Sequence, residues 1–150
     1  MKQANRGLSP QEVQDVRHHP VTFATTAGVR FAGSGHLIEL RLALEHLLSE
    51  PPHPTQGHRQ ITLYRHGSST LALFYFNAGG RLLDHGADAV VTLHLLEGQL
   101  NVHTAQGTYR MEAGQILVLA PNVPHDVQAV KNSRMLMTIC FKPEHGWATS

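Results

Sequence analysis

The order of apolar and polar residues divides the chain into a helical part and a strand-rich part. In the helical part, leucines recur at the spacing of one helix face, at Leu37, Leu40, Leu44, and Leu47 or Leu48. Ser34 is a suitable N-cap, and Pro51 and Pro52 must end the helix because proline lacks an amide donor. The pattern predicts an amphipathic helix at about 35–49, packed on the outside of a barrel or on a second subunit.

From residue 59 onward the hydrophobic period changes from helical to strand-like. Short segments rich in β-branched, aromatic or aliphatic residues follow one another between glycine-containing turns. These predicted strands lie at 59–66, 69–77, 89–96, 99–104, 108–112, 115–120, 125–130 and 134–141. Because no helix intervenes, the pattern indicates an antiparallel sandwich or closed barrel.

The same change of period predicts the domain organisation. We expect an N-terminal extension over residues 1–58 that contains the helix, a β-barrel over 59–142 and a C-terminal tail over 143–150. The 150 residues, 41% of them hydrophobic and 15% charged, are typical of one soluble globular domain.

Charge and cysteine content narrow the function classes and the compartment. The formal net charge is +1 and lysines and arginines are not clustered, which argues against a nucleic-acid partner or an anionic membrane surface. No segment approaches the roughly 18 apolar residues of a membrane span, and the first residues contain no signal-peptide core. The single cysteine, Cys140, excludes an intrachain disulfide framework and is expected to pack in the core. A cytoplasmic protein is predicted.

Glycines and histidines recur at a fixed spacing in the strand-rich part. Five residues separate Gly79 from His85, and Gly98 follows; ten residues separate Gly114 from His125. This spacing resembles the two motifs of the cupin superfamily, G-x5-H-x-H-x3-4-E-x6-G and G-x5-P-x-G-x2-H-x3-N. The resemblance covers about residues 60–142 and implies a small single-domain bacterial cupin. Its expected fold is all-β, an antiparallel double-stranded β-helix (jelly-roll) barrel with an N-terminal helical extension.

The departures from the cupin motifs concern the metal ligands. Asn122 stands at the internal glycine of the second motif, which is a mild change because asparagine adopts positive φ more readily than other side chains. In metal-binding cupins the ligands are three histidines and a glutamate. Carried onto this chain, the first and last histidines are His85 and His125, but the second falls on Ala87 and the glutamate on Val91. Half of the ligand set is therefore missing.

Strand parity separates the remaining histidines. Because side chains alternate along a strand, inward positions 85, 87 and 91 also place Leu93 and Leu95 inside the barrel. Thr92, His94 and Leu96 then point outward, and His94 is expected to pack against the helix or a partner sheet. His103 lies on the outward side if Leu100 and Val102 point in. In the last strand, the inner face is either Met135, Met137 and Ile139 or Leu136, Thr138 and Cys140.

Three hypotheses for His85 and His125 stay open at this point. In the first, they face each other across an apolar pocket that also includes Ala87, Val91 and Leu93, and they bind a polar group of an organic ligand or act as acid and base. In the second, they hold a divalent transition metal (iron, nickel, manganese or zinc) in a dioxygenase- or isomerase-type enzyme.

A metal would need a further ligand, because catalytic zinc sites usually keep three protein ligands and non-haem iron sites commonly use two histidines and a carboxylate. Asp84 or Asp88 could supply that carboxylate, although Asp88 has the wrong strand parity. In the third hypothesis, both histidines are hydrogen-bonded core residues without a ligand role. The resemblance and the outward apolar surface also predict a homodimer.

Overall fold

The computed structural model describes residues 35–84 and 86–142. These residues form one helix, which we call α1, and nine strands. The bounds are α1 Leu40–Ser49, β1 His58–His66, β2 Ser69–Phe76, β3 Arg81–Asp84, β4 Ala89–Glu97, β5 Gln99–Thr104, β6 Gly107–Glu112, β7 Ile116–Leu119, β8 His125–Ala129 and β9 Ser133–Phe141. Ser34 lies outside the described residues.

The strands form two sheets that enclose the core. One sheet has five strands in the order β1-β2-β9-β4-β7, and the other has four in the order β3-β8-β5-β6. All strand pairs among the described residues are antiparallel. The predicted antiparallel jelly-roll architecture is therefore confirmed.

Alternating side chains of both sheets fill the space between them. Leu93 and Leu95 are fully buried, as parity predicts, and Met135, Met137 and Ile139 form the inner face of β9. Each such side chain contributes on the order of 1.5–3 kcal/mol by leaving water. The other large members of this core are Phe74, Phe76, Leu82, Val91, Leu100, Val102, Met111, Leu119 and Val127.

Helix α1 covers the outer face of the five-stranded sheet. Ala43 and Leu47 are buried in a second cluster with Ile61, Leu63 and Leu73 of β1 and β2. The helix therefore packs on the outside of this barrel, one of the two predicted partners. Leu96, which was predicted to point outward from the barrel, also packs against this cluster.

The predicted apolar stripe of the helix is partly wrong. The helix begins at Leu40 with Glu39 as its N-cap, so Leu37 precedes it and is 95% exposed. Leu40 itself is 37% exposed. Of the predicted stripe, Leu47 is buried and Leu44 is partly buried against the sheet, and Ala43 completes the contact face.

Strand β3 was not among the predicted strands. Its four residues, Arg81–Asp84, follow the glycine pair Gly79-Gly80 and are too few to display a period of two. The loop before β1 is hydrogen-bonded, because the His53 amide donates to the His58 carbonyl at 2.7 Å. No helix in residues 35–84 and 86–142 has the length and hydropathy to cross a membrane.

Candidate functional site

The loops that carry the two cupin motifs contact each other at one end of the barrel. The Asn122 amide donates to the Ala87 carbonyl at 2.7 Å, and a Cβ on Gly86 would lie 3.2 Å from the Pro124 nitrogen. Asn122 has φ of 62°, as its place at the motif glycine predicts. His85, between Asp84 and Gly86, lies outside the described residues.

His125 is the motif histidine that the structure describes. It is the first residue of β8 and is 2% exposed. Its Nδ1 lies 3.0 Å from the Val123 carbonyl oxygen. Because a carbonyl can only accept, Nδ1 carries the hydrogen, and in the neutral ring the lone pair is on the buried Nε2. The backbone thus fixes both the orientation and the tautomer of this imidazole.

The positions of the two missing metal ligands belong to the apolar inner wall. Ala87 is 6% exposed and Val91 is 4% exposed, and Leu93 lies deeper on the same strand. Alkyl side chains cannot ligate a metal, and no group of three or more His, Cys, Asp or Glu side chains among the described residues could hold one. The described residues do not fit the metal that the full cupin ligand set binds.

The two candidate carboxylates do not complete such a set in the described structure. Asp88 is exposed, and its Oδ1 lies 3.5 Å from Asn122 Nδ2, while its carbonyl accepts from the Lys142 amide at 3.0 Å. Asp88 therefore stabilises the contact between the motif loops. The Asp84 backbone pairs with that of His125, but the Asp84 side chain is not part of the described structure.

Thr70 is a buried polar residue that the sequence reasoning missed. It is 1% exposed, and its hydroxyl has no hydrogen-bond partner within the described part of the chain. Its parity in β2 is that of Ala72, Phe74 and Phe76, which all lie in the barrel core. The alternation in STLALFYF could have revealed it, because a threonine occupies the inward end of an otherwise apolar row.

Tyr109 shows where the barrel is open. It pairs with the buried Val102, so its side chain is on the inner face of the four-stranded sheet. Nevertheless it is 47% exposed, and Leu117 on the facing strand β7 is only partly buried. An inner-face residue exposed to this extent lies at an opening between β6 and β7.

The inner-face side chains of the barrel are large at one end and smaller at the other. Gly98 joins β4 to β5, so Leu95 and Leu100 share the closed end, together with Phe76, Met111 and Met135. The opposite end carries the small inner-face residues Thr70, Ala72, Ala87 and Ala89 beside the larger Val91, Ile139 and Phe141. This is the end of His125, because Thr104, the last residue of β5, pairs with it.

His94, His103 and Cys140 lie on the outer faces of the two sheets. His94 is partly exposed on the outer face between Leu136 and Ile116, and His103 Nδ1 contacts the Thr108 hydroxyl at 2.8 Å. The prediction that Cys140 packs in the core is wrong: it is on the outer face of β9, partly exposed, with its Sγ 3.9 Å from the Ser69 hydroxyl.

Comparison with known proteins agrees with this description. Residues 80–150 match the sequence model of the family described as the AraC-like ligand binding domain. None of the curated proteins that were compared matches the chain.

Several solved structures have the same fold at low sequence identity. A cupin superfamily protein from Desulfitobacterium hafniense is 13% identical with a TM-score of 0.58, and the alignment covers 73% of this chain and 93% of that one. An RmlC-like cupin from Desulfovibrio desulfuricans is 22% identical with a TM-score of 0.54, and the alignment covers 70% of this chain and 97% of that one. An HTH_3 family transcriptional regulator from Vibrio cholerae is 15% identical with a TM-score of 0.56, and the alignment covers 66% of this chain and 60% of that one. The two-sheet barrel therefore has the cupin fold, and the motif spacing of the chain is similar to that of the cupin superfamily.

Proposed function

We propose that the barrel binds a small organic molecule at the end where the two motif loops meet. One observation carries this proposal: Ala87 and Val91 replace metal-ligand positions with apolar wall, whereas His125 is kept, buried and held in a single tautomer. A mostly apolar site with few oriented polar groups is the usual environment of an organic ligand. His85 is the second predicted polar group of this pocket, and Leu93 forms its floor.

The chemistry available at His125 is hydrogen bonding or proton transfer through Nε2. With the hydrogen on Nδ1, the neutral ring accepts a hydrogen bond from a hydroxyl group or another donor of the ligand. The opening beside Tyr109 supplies a route for entry from solvent. Its phenol would contact the part of the ligand nearest to the mouth.

A sensing role is the form of binding that we favour. The matching family is described as a ligand binding domain, and one structural neighbour is named as a transcriptional regulator. We extend to this chain a ligand-responsive role and not nucleic-acid binding, because its net charge is +1 and its lysines and arginines are not clustered.

A metal-dependent dioxygenase- or isomerase-type enzyme is the second candidate. The hydrogen bond from His125 Nδ1 to a backbone carbonyl is the arrangement that orients ligating histidines in metal sites. His85 and one carboxylate would have to complete the ligand set. Apolar positions 87 and 91 count against this candidate.

Elemental analysis of the untagged protein separates the two candidates. The binding barrel is expected to contain far less than one equivalent of iron, nickel, manganese or zinc, and to gain thermal stability from a small aromatic or aliphatic compound. A near-stoichiometric metal that survives dialysis, and without which no organic compound stabilises the protein, would contradict the proposal.

We also propose a homodimer through the outer face of β4 and β7. Ile116 and Val118 of β7 are 57% and 61% exposed and lie beside His94 and Thr92. The side chains of Ile116, Val118 and Thr92 carry no ionisable group, which suits contact with the same face of a second copy.

A further inference from the structure

The second residue of β2, Thr70, presents a buried polar group that no described residue bonds. Thr70 is 1% exposed, and its hydroxyl has no hydrogen-bond partner among the described residues. Leaving a buried hydroxyl unsatisfied costs on the order of 1–3 kcal/mol. A bound molecule would satisfy this hydroxyl, which the described residues leave without a hydrogen-bond partner.

A cation lies next to this hydroxyl on the same face. Arg65 of β1 pairs directly with Thr70, so both side chains project from the inner face of the sheet. Arg65 is half-buried and makes no ion pair or hydrogen bond with the described residues. Within residues 35–84 and 86–142, these two donors have no acceptor.

The register places this pair at the same barrel end as His125. Thr70 pairs with Ile139, which pairs with Val91, so the three occupy one layer of the five-stranded sheet. Val91 is at the end of the barrel remote from the Gly98 turn, as is His125 on the opposing sheet. Apolar inner-face side chains thus separate Arg65 and Thr70 on the five-stranded sheet from the His125 imidazole on the four-stranded sheet.

We propose that Arg65 and Thr70 form a carboxylate subsite, so that the ligand is a small organic acid. This inference rests on the proposed binding function and names the chemical class of its ligand. The guanidinium would bind the carboxylate, and the Thr70 hydroxyl would donate to one of its oxygens. The hydrocarbon part of the acid would lie on Val91 and Ile139, with His125 at its far side.

The test compares acids with uncharged molecules of the same shape. Binding of benzoate and hexanoate is measured by calorimetry at pH 7.5 beside benzyl alcohol and hexan-1-ol, with phenyl phosphate as a second anion. We expect at least one acid to bind the wild-type protein about tenfold more tightly than its alcohol, since hydrogen bonds to charged groups are the strong ones.

The variants are Arg65→Gln and Thr70→Val, with Arg110→Gln and Thr138→Val as controls on exposed positions of β6 and β9. Each test variant should weaken the acid about tenfold and leave the alcohol unchanged, while the controls change neither. Without ligand, Thr70→Val should not lower the melting temperature, because it removes an unsatisfied hydroxyl. If Thr70 had only a structural role, Thr70→Val would lower the melting temperature and leave acid binding unchanged.

The outcomes distinguish this inference from the function on which it rests. If the alcohols bind as well as the acids, or if Arg65→Gln leaves acid binding intact, the carboxylate subsite is wrong but the binding barrel stands. Tighter binding of phenyl phosphate than of benzoate also overturns it. If neither acids nor alcohols bind the wild-type protein, the proposed function itself is contradicted.

Discussion

His58 Nδ1 bonds the Arg81 carbonyl oxygen at 2.7 Å and thereby joins the edge strands of the two sheets. The imidazole is 5% exposed, tilted against the rings of Phe74 and Phe76 at 5.9 and 5.8 Å, and stacked on His53 at 5.5 Å. The seam between β1 and β3 therefore depends on a titratable group that is largely removed from water.

This seam makes stability dependent on pH. Burial lowers the pKa of His58 from 6.5, while the bond to Arg81 opposes the shift. As pH falls below about 6.5, the unfolded chain binds the proton before the folded one, so the free energy of unfolding decreases down to the folded-state pKa. Urea denaturation from pH 8 to pH 5 should show this loss.

His58→Gln is the matched variant, because its side-chain amide retains a donor for Arg81 but does not titrate. The stability of this variant should fall less than that of the wild type over the same pH interval. Equal slopes for the two proteins would show that other groups cause the pH dependence.

His125 and His85 are predicted to act as one site. His125→Ala and His85→Ala should each weaken ligand binding by about tenfold or more, and the double variant should lose little beyond either, because residues that act as a unit are not additive. Unfolding free energy should fall by only about 1 kcal/mol. His94→Ala, on the outer face, is the control; loss of binding in that variant alone would refute the site assignment.

Gly98 should not tolerate a side chain. It has φ of 97°, and a Cβ would collide with Ser133 Oγ and lie 2.5 Å from the Asn132 carbonyl oxygen. Gly98→Ala is expected to cost about 3 kcal/mol of unfolding free energy, combining backbone strain with the collision. Gly114→Ala has a similar φ of 88° but open space around the Cβ, so it should cost about 1 kcal/mol. Equal losses in thermal or urea unfolding would contradict this account.

Restoring the missing cupin ligands should create a metal site. The double variant Ala87→His and Val91→Glu places an imidazole and a carboxylate on the inner wall where both motif histidines are predicted. Without metal it should be destabilised by about 2–4 kcal/mol, because the carboxyl group is buried among apolar side chains. Nickel or zinc should then raise its melting temperature and not that of the wild type. An equal response of the wild type would favour the metal-dependent candidate.

The exposed face of β7 provides the test of assembly. Sedimentation at micromolar concentration should show a dimer, and Ile116→Lys with Val118→Lys should produce monomers because two charges would be buried at the contact. Val130→Lys, at a 46% exposed position after β8, is the control. A wild-type monomer would contradict the dimer.

The regular alternation of β4 made its inner face predictable from the sequence, whereas the register shift in β1 made the inner face of that strand unpredictable. The inward row Val91, Leu93 and Leu95 follows from a period of two alone. In β1, however, the register shifts between Thr62 and Tyr64, which reverses the parity of the following residues. Simple alternation would place Arg65 outside, so a sequence pattern cannot identify it as a partner of Thr70.

Strand β1 has a further consequence, because its two faces are engaged by different parts of the protein. Its inner face carries Arg65, and its outer face carries Ile61 and Leu63 beneath α1. The Arg59 guanidinium also donates from Nε to the Glu50 carbonyl at 2.6 Å, at the end of that helix. We therefore expect a shift of β1 on occupation of the barrel to move the helix, which would couple the barrel interior to α1. Amide exchange along Leu40–Ser49, with and without ligand, would report that coupling, and identical protection would exclude it.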